Sequence, residues 1–323
     1  MNIIASTSNP DLPSWRIRCE QVIPYLKAYD IQLETIHLED LTRCSLGTLR
    51  KLRRAHILIH YKTLLTGKQL RCLKFIHRPM VYDFDDLVSH DVSGELNPTS
   101  DYRFKRILRS ADAVICGNDF LRATVPTQLP AAVLPSPVPT TGPMSSRHSQ
   151  TLGPTRLGWV GLKENLPFLE TIAAPLRTVA QTFDIELVVL SNAPYDLDGI
   201  TVRNIPWSLD EQESVIASFD IGLMPLPVES EYSKGKCSYK ILQYLAAGVP
   251  AVATNIGMNA ELLRQGGGLL ATDHASWVMA LQELLSQSNS REQLGQRGRR
   301  LVEEKYSYEV YARSMAHFLK DLV

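Results

Sequence analysis

Short apolar runs alternate with longer amphipathic segments along almost the whole chain, and this alternation constrains the fold more than any other feature. Runs such as "AHILIHY" at 55–61 and "IELVVLS" at 185–191 have the length and apolar content of buried strands. Segments such as "SWRIRCEQVIPYLKAYD" at 14–30 have the length and polarity pattern of helices. Strands that alternate with helices are typical of βαβ units around a parallel sheet. The sequence therefore predicts an α/β protein.

A change in composition divides the chain into two halves. Seven of the 19 prolines fall between Pro126 and Pro154, and residues 140–155 combine turn residues with almost no apolar periodicity, as linkers do. The alternation of strands and helices restarts after this segment. A chain of 323 residues is also long for a single core. We therefore predict one domain over 1–150 and a second over 151–306, followed by a closing helix over 307–323.

The charge distribution bears on partners and location. The chain has 34 Lys or Arg and 34 Asp or Glu, whereas a dedicated nucleic-acid binder should be basic overall. From Leu41 to Tyr82, however, there are ten Lys or Arg and no acidic residue. This basic stretch is either a solvated helix face or a surface that meets an anionic acceptor or an anionic bilayer.

The location follows from two further observations. No apolar run approaches the roughly 20 residues of a spanning helix. The five cysteines match no metal-binding spacing, and their odd number makes a poor disulfide framework. We expect reduced thiols in a cytoplasmic protein, whose membrane contact, if it has any, is peripheral and at the inner face.

The stretch from Gly235 to Glu261 carries the strongest chemical signal. A helix is expected to begin near Gly235 to Ser238 and to end at Gly248, because glycine is favoured just past a helix and Pro250 cannot continue one. Lys236, Lys240 and Gln243 have the spacing of residues on one helix face.

Two cations in the first turns of a helix oppose its dipole unless an anion is bound. Free N–H groups, a glycine in the approach loop and the lysines Lys236 and Lys240 would make a diphosphate site. The alternative is that both lysines point into water.

This segment resembles the donor-binding helix of family-4 retaining glycosyltransferases of the GT-B fold. In particular, it is similar to a subgroup whose pattern is roughly GKC-x-x-K-x-x-Q-Y-M-A-x-G-x-P-V-V-A. The positions that match are Gly235, Lys236, Cys237, Lys240, Gln243, Tyr244, Ala246, Gly248, Pro250, Val252 and Ala253. The segments "VYDFDDL", "ADAVICGNDFL", "LGWVGL" and "RLVEEKYSYEVYARSM" resemble other parts of the same subgroup.

The resemblance implies two Rossmann-like parallel-sheet domains that face a central cleft, with the closing helix packed back on the N-terminal acceptor-binding domain. It implies an enzyme that transfers a sugar, with retention and without a metal, from a nucleoside diphosphate sugar to a hydroxyl acceptor. The products would be polysaccharides, glycolipids or other glycoconjugates. The nucleotide sugar is a co-substrate, and we expect no cofactor and no nucleic-acid partner. The alternatives are a catalytically degenerate GT-B scaffold that binds a nucleotide sugar or a partner protein, and a nucleotide-sugar epimerase.

The chain departs from the family in its charges. Many members carry two glutamates eight positions apart at the donor helix, where this chain has Gly235 and Gln243. The family's phosphate-clamping Arg and Lys usually follow the first strand of the second domain, where this chain offers only Lys163. We therefore expect Lys236 and Lys240 to stabilise the leaving diphosphate.

Candidate site residues come from both domains. Arg16 and Arg18 are either ligands of an anionic group or exposed residues of a helix start, and His60 at a strand end is either catalytic or structural. Trp207 is either a stacking partner of the nucleobase or a core aromatic. The cluster "DFDD" at 83–86 is either a divalent cation site or a helix cap, and we predict no metal.

The candidate catalytic residues are Lys236, Lys240 and His60. The candidate donor-binding residues are Gly161, Lys163, Trp207, Gly235, Cys237, Ser238, Gln243, Gly257 and Asn259. The candidate acceptor-binding residues are Arg16, Arg18, Lys62, Asp85 and Asp86.

Overall fold

The computed structural model describes residues 1–43, 46–76, 79–145 and 153–323. The chain forms two compact units. The N-terminal unit contains Met1–Pro137, Ser230–Cys237 and Tyr308–Val323, and the C-terminal unit contains Val138–Glu229 and Ser238–Ser307. The domain boundary predicted at residues 150 and 151 lies outside the described residues.

The N-terminal unit is built on a six-stranded parallel sheet. Its strands are β1 (Asn2–Thr7), β2 (Gln32–His37), β3 (Ile57–Tyr61), β4 (Met80–Phe84), β5 (Ala113–Cys116) and β6 (Ala131–Val133). They lie in the order β2-β1-β3-β4-β5-β6. Strands β3, β4 and β5 are buried along their whole length, as expected of a parallel sheet covered on both faces. The apolar runs "MNIIAS", "IQLETIHL", "AHILIHY", "RPMVYDFDD" and "ADAVICGN" predict the first five strands, but β6 lies among prolines and was missed.

Helices of the N-terminal unit connect these strands. Their bounds are Pro13–Trp15, Ile23–Leu26, Leu38–Arg43, Leu46–Arg54, Gly67–Ile76, Pro98–Ser110, Asp119–Ala123, Glu231–Lys234 and Tyr308–Lys320, with a π-helical turn at Arg16–Glu20 and a 3₁₀ turn at Lys27–Tyr29. The single helix predicted over 14–30 is therefore wrong. Pro24 has no N–H to donate, and its ring would clash with the carbonyl group four residues earlier.

The C-terminal unit has a second six-stranded parallel sheet. Its strands are β7 (Thr155–Val160), β8 (Ile185–Ser191), β9 (Thr201–Pro206), β10 (Ile221–Met224), β11 (Ala251–Thr254) and β12 (Gly268–Ala271). They lie in the order β12-β11-β10-β7-β8-β9, which is the strand order of a Rossmann fold counted from β7. Strand β12 was not predicted, because its four residues follow two glycines and show no clear period.

Helices also connect the strands of the C-terminal unit. Their bounds are Pro167–Glu170, Ala173–Ala180, Gln212–Ala217, Tyr239–Ala246, Gly257–Arg264, His274–Ser286 and Ser288–Lys305, with a 3₁₀ turn at Lys163–Asn165. Helix Tyr239–Ala246 begins later than predicted, because Ser238 has a left-handed backbone with φ of 49°. Lys236 therefore lies outside the helix, and the prediction that it shares a helix face with Lys240 is wrong.

The predicted end of this helix is confirmed. Gly248 has a φ of +68°, its N–H bonds to the Leu245 carbonyl oxygen at 2.9 Å, and the Val249 N–H bonds to the Tyr244 carbonyl oxygen at 2.9 Å. These two hydrogen bonds form a Schellman motif, which satisfies the last carbonyl groups of the helix.

Each unit has its own hydrophobic core. In the N-terminal unit, Tyr311, Met315 and Leu319 of the final helix pack with the buried residues of β1 and β3. In the C-terminal unit, strands β7 and β8 pack with Trp277 and Leu281. Within the described ranges, no helix combines the length and apolar character needed to cross a membrane.

Candidate functional site

The C-terminal sheet has a topological switch point between β7 and β10. Strands β8 and β9 follow β7 on one side of this point, and strands β11 and β12 follow β10 on the other. Ligands of open α/β sheets bind beyond the carboxyl ends of the strands at such a point. Strands β7 and β10 pair at Leu157–Ile221 and at Gly158–Gly222. The candidate site of this unit therefore lies at the carboxyl ends of β7 and β10, beyond these two pairs.

Tyr244 lies between the two strands beyond their last pair. Its hydroxyl group donates to the Leu223 carbonyl oxygen at 3.1 Å and accepts from the Val160 N–H at 3.2 Å. A Cβ atom on Gly222 would lie 2.3 Å from the Tyr244 ring, so glycine leaves the space that the ring fills. The two strands separate here, so the Val160 N–H and the Leu223 carbonyl group do not bond to each other. The Tyr244 hydroxyl group satisfies both of these buried backbone groups.

Gly161 and Lys240 lie together just past β7. The Gly161 N–H donates to the Leu190 carbonyl oxygen at 3.0 Å. A Cβ atom on Gly161 would lie 2.5 Å from the Trp159 ring and 2.9 Å from Cε of Lys240. The Lys240 ammonium group is 5.5 Å from the centre of the Trp159 ring, within cation–π range. The structure therefore brings two predicted site residues to the switch point.

Ser238 and Asn259 form a buried hydrogen-bonded link. The Ser238 hydroxyl group donates to Oδ1 of Asn259 at 2.7 Å, and Nδ2 of Asn259 donates to the Thr254 carbonyl oxygen at 3.1 Å. The Thr254 hydroxyl group in turn accepts from the Leu226 N–H at 2.8 Å. These contacts join the start of helix Tyr239–Ala246 to the end of β11, and both predicted side chains serve this link.

The other predicted donor-side residues of this unit occupy separate positions. Gly257 has a φ of +45° and begins helix Gly257–Arg264. Lys163 is exposed beyond β7, and its N–H donates to Oδ1 of Asn192 at 2.8 Å. Trp207 is half-buried beyond β9, and Gln243 donates to Oε1 of Gln212 at 3.4 Å.

The N-terminal unit holds a lysine–aspartate cluster, formed by Lys62, Asp85, Asp86 and Lys236. The Lys62 ammonium group lies 2.9 Å from Oδ1 of Asp85 and 2.5 Å from Oδ2 of Asp86. The Lys236 ammonium group lies 3.1 Å from Oδ1 of Asp86. Lys62 follows β3 with a left-handed backbone, φ 55°, which costs a non-glycine residue of order 1–3 kcal/mol.

Charge pairing governs the ionisation of this cluster. Burial favours the neutral forms of Lys62 and Lys236, but the nearby carboxylates outweigh it and raise the pKa of both lysines. Burial likewise favours neutral Asp86, but Lys236 and Lys62 outweigh it and lower the pKa of that carboxyl group. All three groups are therefore charged at neutral pH.

Asn118 and Cys237 complete the surroundings of the cluster. Nδ2 of Asn118 donates to the carbonyl oxygens of Gly235 and Lys236, at 3.1 and 3.2 Å. The Cys237 thiol donates to the Asp85 carbonyl oxygen at 3.0 Å. Sequence reasoning missed Asn118, although an asparagine shortly after β5 and directly before helix Asp119–Ala123 is a helix-cap signal.

Arg18 is fully buried, which excludes the alternative of an exposed residue at a helix start. Its guanidinium group donates to Oδ1 of Asp83 at 2.7 and 3.1 Å and to the Leu134 carbonyl oxygen at 2.7 Å. Arg16 and Arg18 both belong to the π-helical turn at Arg16–Glu20, but Arg16 is only half-buried. Burial raises the pKa of Asp83 to about 6, although Arg18 acts in the opposite direction.

His60 is the second-last residue of β3, and it is fully buried. Its Nε2 lies 2.9 Å from the Thr63 carbonyl oxygen, and its Nδ1 lies 3.1 Å from the Ser6 hydroxyl group. A carbonyl oxygen only accepts, so Nε2 carries the proton and Nδ1 accepts from Ser6. Burial lowers the pKa of His60 to about 4.

The aspartates of "DFDD" are each paired with a cation: Asp83 with Arg18, Asp85 with Lys62, and Asp86 with Lys62 and Lys236. Among the described residues, the buried Oδ2 of Asp83 has no hydrogen-bond partner. Across the part of the chain that the structure describes, no group of three or more His, Cys, Asp or Glu side chains has the arrangement of a metal site.

Comparison with known proteins finds sequences and structures that are similar to parts of this chain or to its whole length. Residues 155–287 match the model of the family described as Glycosyl transferases group 1. The chain is 26% identical over 209 residues to the protein of Bacillus subtilis (strain 168) described as putative teichuronic acid biosynthesis glycosyltransferase TuaH. That match covers 57% of this chain and 52% of the relative, so the chain spans about half the length of the relative.

Solved structures share the fold over nearly the whole chain. The sucrose-phosphate synthase of Thermosynechococcus elongatus is similar with a TM-score of 0.70 and 14% identity, over 99% of this chain and 98% of that one. The Anabaena protein Alr3699/HepE, solved in complex with UDP and glucose, is similar with a TM-score of 0.69 and 13% identity, over 99% of this chain and 100% of that one. The two parallel six-stranded sheets are therefore those of the GT-B fold.

Proposed function

We propose that this protein is a glycosyltransferase, which transfers a sugar from a nucleoside diphosphate sugar to a hydroxyl acceptor in polysaccharide or glycoconjugate biosynthesis. The observation that carries the proposal is the family match over 155–287, the stretch that contains the switch point, Gly161 and Lys240. The description of the Bacillus subtilis relative supports a polysaccharide product. The complexes of the Anabaena protein with UDP and with UDP-glucose support a UDP-sugar as the first donor to test.

Lys240 is the proposed cation of the reaction. Departure of a nucleoside diphosphate builds negative charge on its terminal phosphate, and fixed positive charge aimed there lowers the barrier. Lys240 lies in the first turn of helix Tyr239–Ala246, where the helix dipole adds positive potential. Gly161 beside it allows the main chain to approach a phosphate closely.

Substitution of Lys240 tests this role. We expect Lys240→Ala to lower turnover at saturating donor roughly 100-fold to 1,000-fold, as the loss of one charge-stabilising donor does in other enzymes. Lys240→Arg should keep part of the activity, because it keeps the positive charge. The control variant Lys305→Ala should keep all of it, because the Lys305 ammonium group contacts Gln265 and, in the described part of the chain, no residue of the candidate site. Transfer would be measured as release of UDP coupled to acceptor glycosylation. Full turnover by Lys240→Ala would remove Lys240 from the mechanism.

Two finer features of the reaction belong to the proposal. We propose retention of configuration, which the anomeric proton coupling of the product would reveal in an NMR spectrum recorded early in the reaction. We also propose that no metal takes part, so turnover should be the same with excess EDTA and with added Mg²⁺ or Mn²⁺. An inverted product, or loss of turnover in EDTA, would contradict the respective feature.

The rival functions make different predictions. A degenerate scaffold would be stabilised thermally by a nucleotide sugar, since a bound ligand raises the melting temperature by mass action, but it would release no nucleotide. An epimerase would change the sugar without an added acceptor. Thermal-shift screening of UDP- and GDP-sugars, followed by product analysis with and without acceptors, separates the three functions.

The basic stretch suggests an anionic partner surface. Helices Leu46–Arg54 and Gly67–Ile76 contact each other and together carry the exposed cations Arg50, Lys51, Arg53, Arg54, Lys68, Arg71 and Lys74. We propose that these cations meet an anionic membrane surface, from which a lipid-linked acceptor could be glycosylated.

A further inference from the structure

Lys236 and Lys240 were expected to act together, but the structure gives them different surroundings. Lys240 belongs to helix Tyr239–Ala246 of the C-terminal unit, whereas Lys236 belongs to the segment Ser230–Cys237 of the N-terminal unit. The two lysines therefore need separate explanations, although only four positions separate them in the sequence.

The charge of Lys236 is committed to protein groups. Its ammonium group contacts Oδ1 of Asp86 at 3.1 Å, donates to the Tyr232 hydroxyl group at 2.6 Å, and lies 4.1 Å from the centre of the Tyr232 ring. Its side chain is only 18% exposed. A lysine held by a carboxylate, a phenol and an aromatic face is fixed in position, and part of its charge is neutralised by Asp86.

The whole segment Ser230–Cys237 is fixed in the same way. Asn118 holds the carbonyl groups of Gly235 and Lys236, and the Cys237 thiol donates to the Asp85 carbonyl oxygen. A Cβ atom on Gly235 would lie 2.8 Å from Cβ of Leu87, so the main chain is packed closely there. The Lys236–Asp86 pair is the one charged contact between this segment and the loop after β4 that the described residues show.

The end of the segment leads directly into helix Tyr239–Ala246. Cys237 is followed by Ser238, whose left-handed backbone turns the chain into the helix. Only Ser238 therefore separates the segment from the helix that carries Lys240. A displacement of about 1 Å in a catalytic group can cost about 100-fold in rate.

We propose that Asp86 and Lys236 form a positioning pair, which fixes the segment Ser230–Cys237 on the N-terminal unit, and that Lys236 gives no direct stabilisation to the leaving diphosphate. This inference rests on the proposed function, in which Lys240 has the direct role. Asp86 is accordingly a residue that acts through Lys236 rather than a ligand of the acceptor.

A double-mutant cycle separates positioning from direct catalysis. In Asp86→Asn and in Lys236→Met, we expect turnover to fall roughly tenfold, and in the double variant we expect no further loss, because members of one pair are not additive. Lys236→Arg should restore most of the turnover. The matched control is Lys234→Met, because Lys234 lies in the same segment and pairs with Glu231 at an exposed position. It should keep wild-type turnover.

If Lys236 acts on the leaving group directly, its removal should cost as much in the Asp86→Asn background as in the wild type. The losses would then multiply to roughly 100-fold in the double variant, and the proposal would be overturned.

Hydrogen exchange gives a readout that does not depend on activity. Amide exchange of a peptide that covers Ser230–Cys237, followed by mass spectrometry, should speed up in Asp86→Asn and in Lys236→Met but not in Lys234→Met, because loss of the pair lowers the local opening free energy. Unchanged exchange in both variants would overturn the positioning pair even if the protein proved to catalyse no glycosyl transfer. Faster exchange in a protein without transferase activity would support the pair and reject the proposed function alone.

Discussion

His60 shows how burial decides the chemistry of a single side chain. Both of its ring nitrogens are used, one by the Thr63 carbonyl oxygen and one by the Ser6 hydroxyl group. A second proton would place a buried charge on Nδ1, where the Ser6 hydroxyl group now donates. The neutral ring is therefore favoured, and His60 lies in the sheet as a polar member of the core.

This burial gives the folded protein a defined dependence on pH. The pKa of His60 falls from 6.5 in a model peptide to about 4 in the folded protein. Between these values the unfolded chain binds a proton that the folded protein does not, so stability is lost as the pH falls. The full difference is about 3 kcal/mol. We expect the wild-type free energy of unfolding, measured in urea at several pH values, to fall more steeply below pH 6.5 than that of His60→Gln. Parallel curves would show that His60 is not the group responsible.

The sequence could not distinguish these residue-scale outcomes. Period-two alternation tells inward from outward positions only when one face of a strand is solvated, and β3 is buried on both faces. The alternatives for Arg18 did not include a buried ion pair, because its partner, Asp83, is 65 positions away in the sequence. Asp86 and Lys236 are 150 positions apart, so no local pattern connects them.

Helix Tyr239–Ala246 shows what can be predicted for an element. Its apolar residues Ile241, Leu242 and Leu245 are fully buried, as in an amphipathic helix that packs on a sheet, and Gly248 follows its end. Its beginning was misplaced, because a serine before an amphipathic run indicates a helix cap but does not reveal a left-handed backbone. The helix also contributes Tyr244 to the switch point. An aromatic residue within an apolar run is expected to be a core residue, so the sequence did not predict that its hydroxyl group bridges two strands.

Removal of one hydroxyl group tests the role of this helix. Tyr244→Phe would leave the Val160 N–H and the Leu223 carbonyl group without their partner in a buried place. An unsatisfied buried group costs roughly 1–3 kcal/mol, so we expect at least this loss in the free energy of unfolding. The matched control is Tyr102→Phe, since Tyr102 is 60% exposed. Chemical denaturation measures both variants, and an equal effect of the two would contradict a bridging role for Tyr244.

At the scale of the whole molecule, a net charge of zero conceals a strong asymmetry. The stretch from 41 to 82 carries ten cations and no acidic residue, although Arg78 and the side chain of Arg43 lie outside the described residues. Of its exposed cations, Lys51 pairs with Glu34 and Lys74 pairs with Asp112.

The two-sheet architecture was predictable because each strand and helix repeats a local pattern, whereas the placement of Ser230–Cys237 in the N-terminal unit depends on long-range contacts.

The basic helices give a test of the proposed membrane contact. A Lys or Arg near an anionic surface contributes about 1 kcal/mol to binding. We therefore expect the protein to sediment with phosphatidylglycerol-containing vesicles but not with phosphatidylcholine vesicles. Arg53→Glu combined with Arg54→Glu should weaken this binding at least tenfold. Salt at about 0.5 M should also weaken it, because the ions screen the attraction between exposed charges. Binding that ignores both charge reversal and salt would exclude an electrostatic contact.

The return of the final helix to the N-terminal core affects the order in which the protein folds on the ribosome. Tyr311, Met315 and Leu319 belong to the core of the first sheet, yet they are synthesised after every residue of the second sheet. The segment Ser230–Cys237 is likewise made long after the strands that it packs against. The half of the protein that is translated first is therefore completed last. A premature stop codon before Tyr308 should spare the later-made sheet and leave the earlier-made one exposed to aggregation.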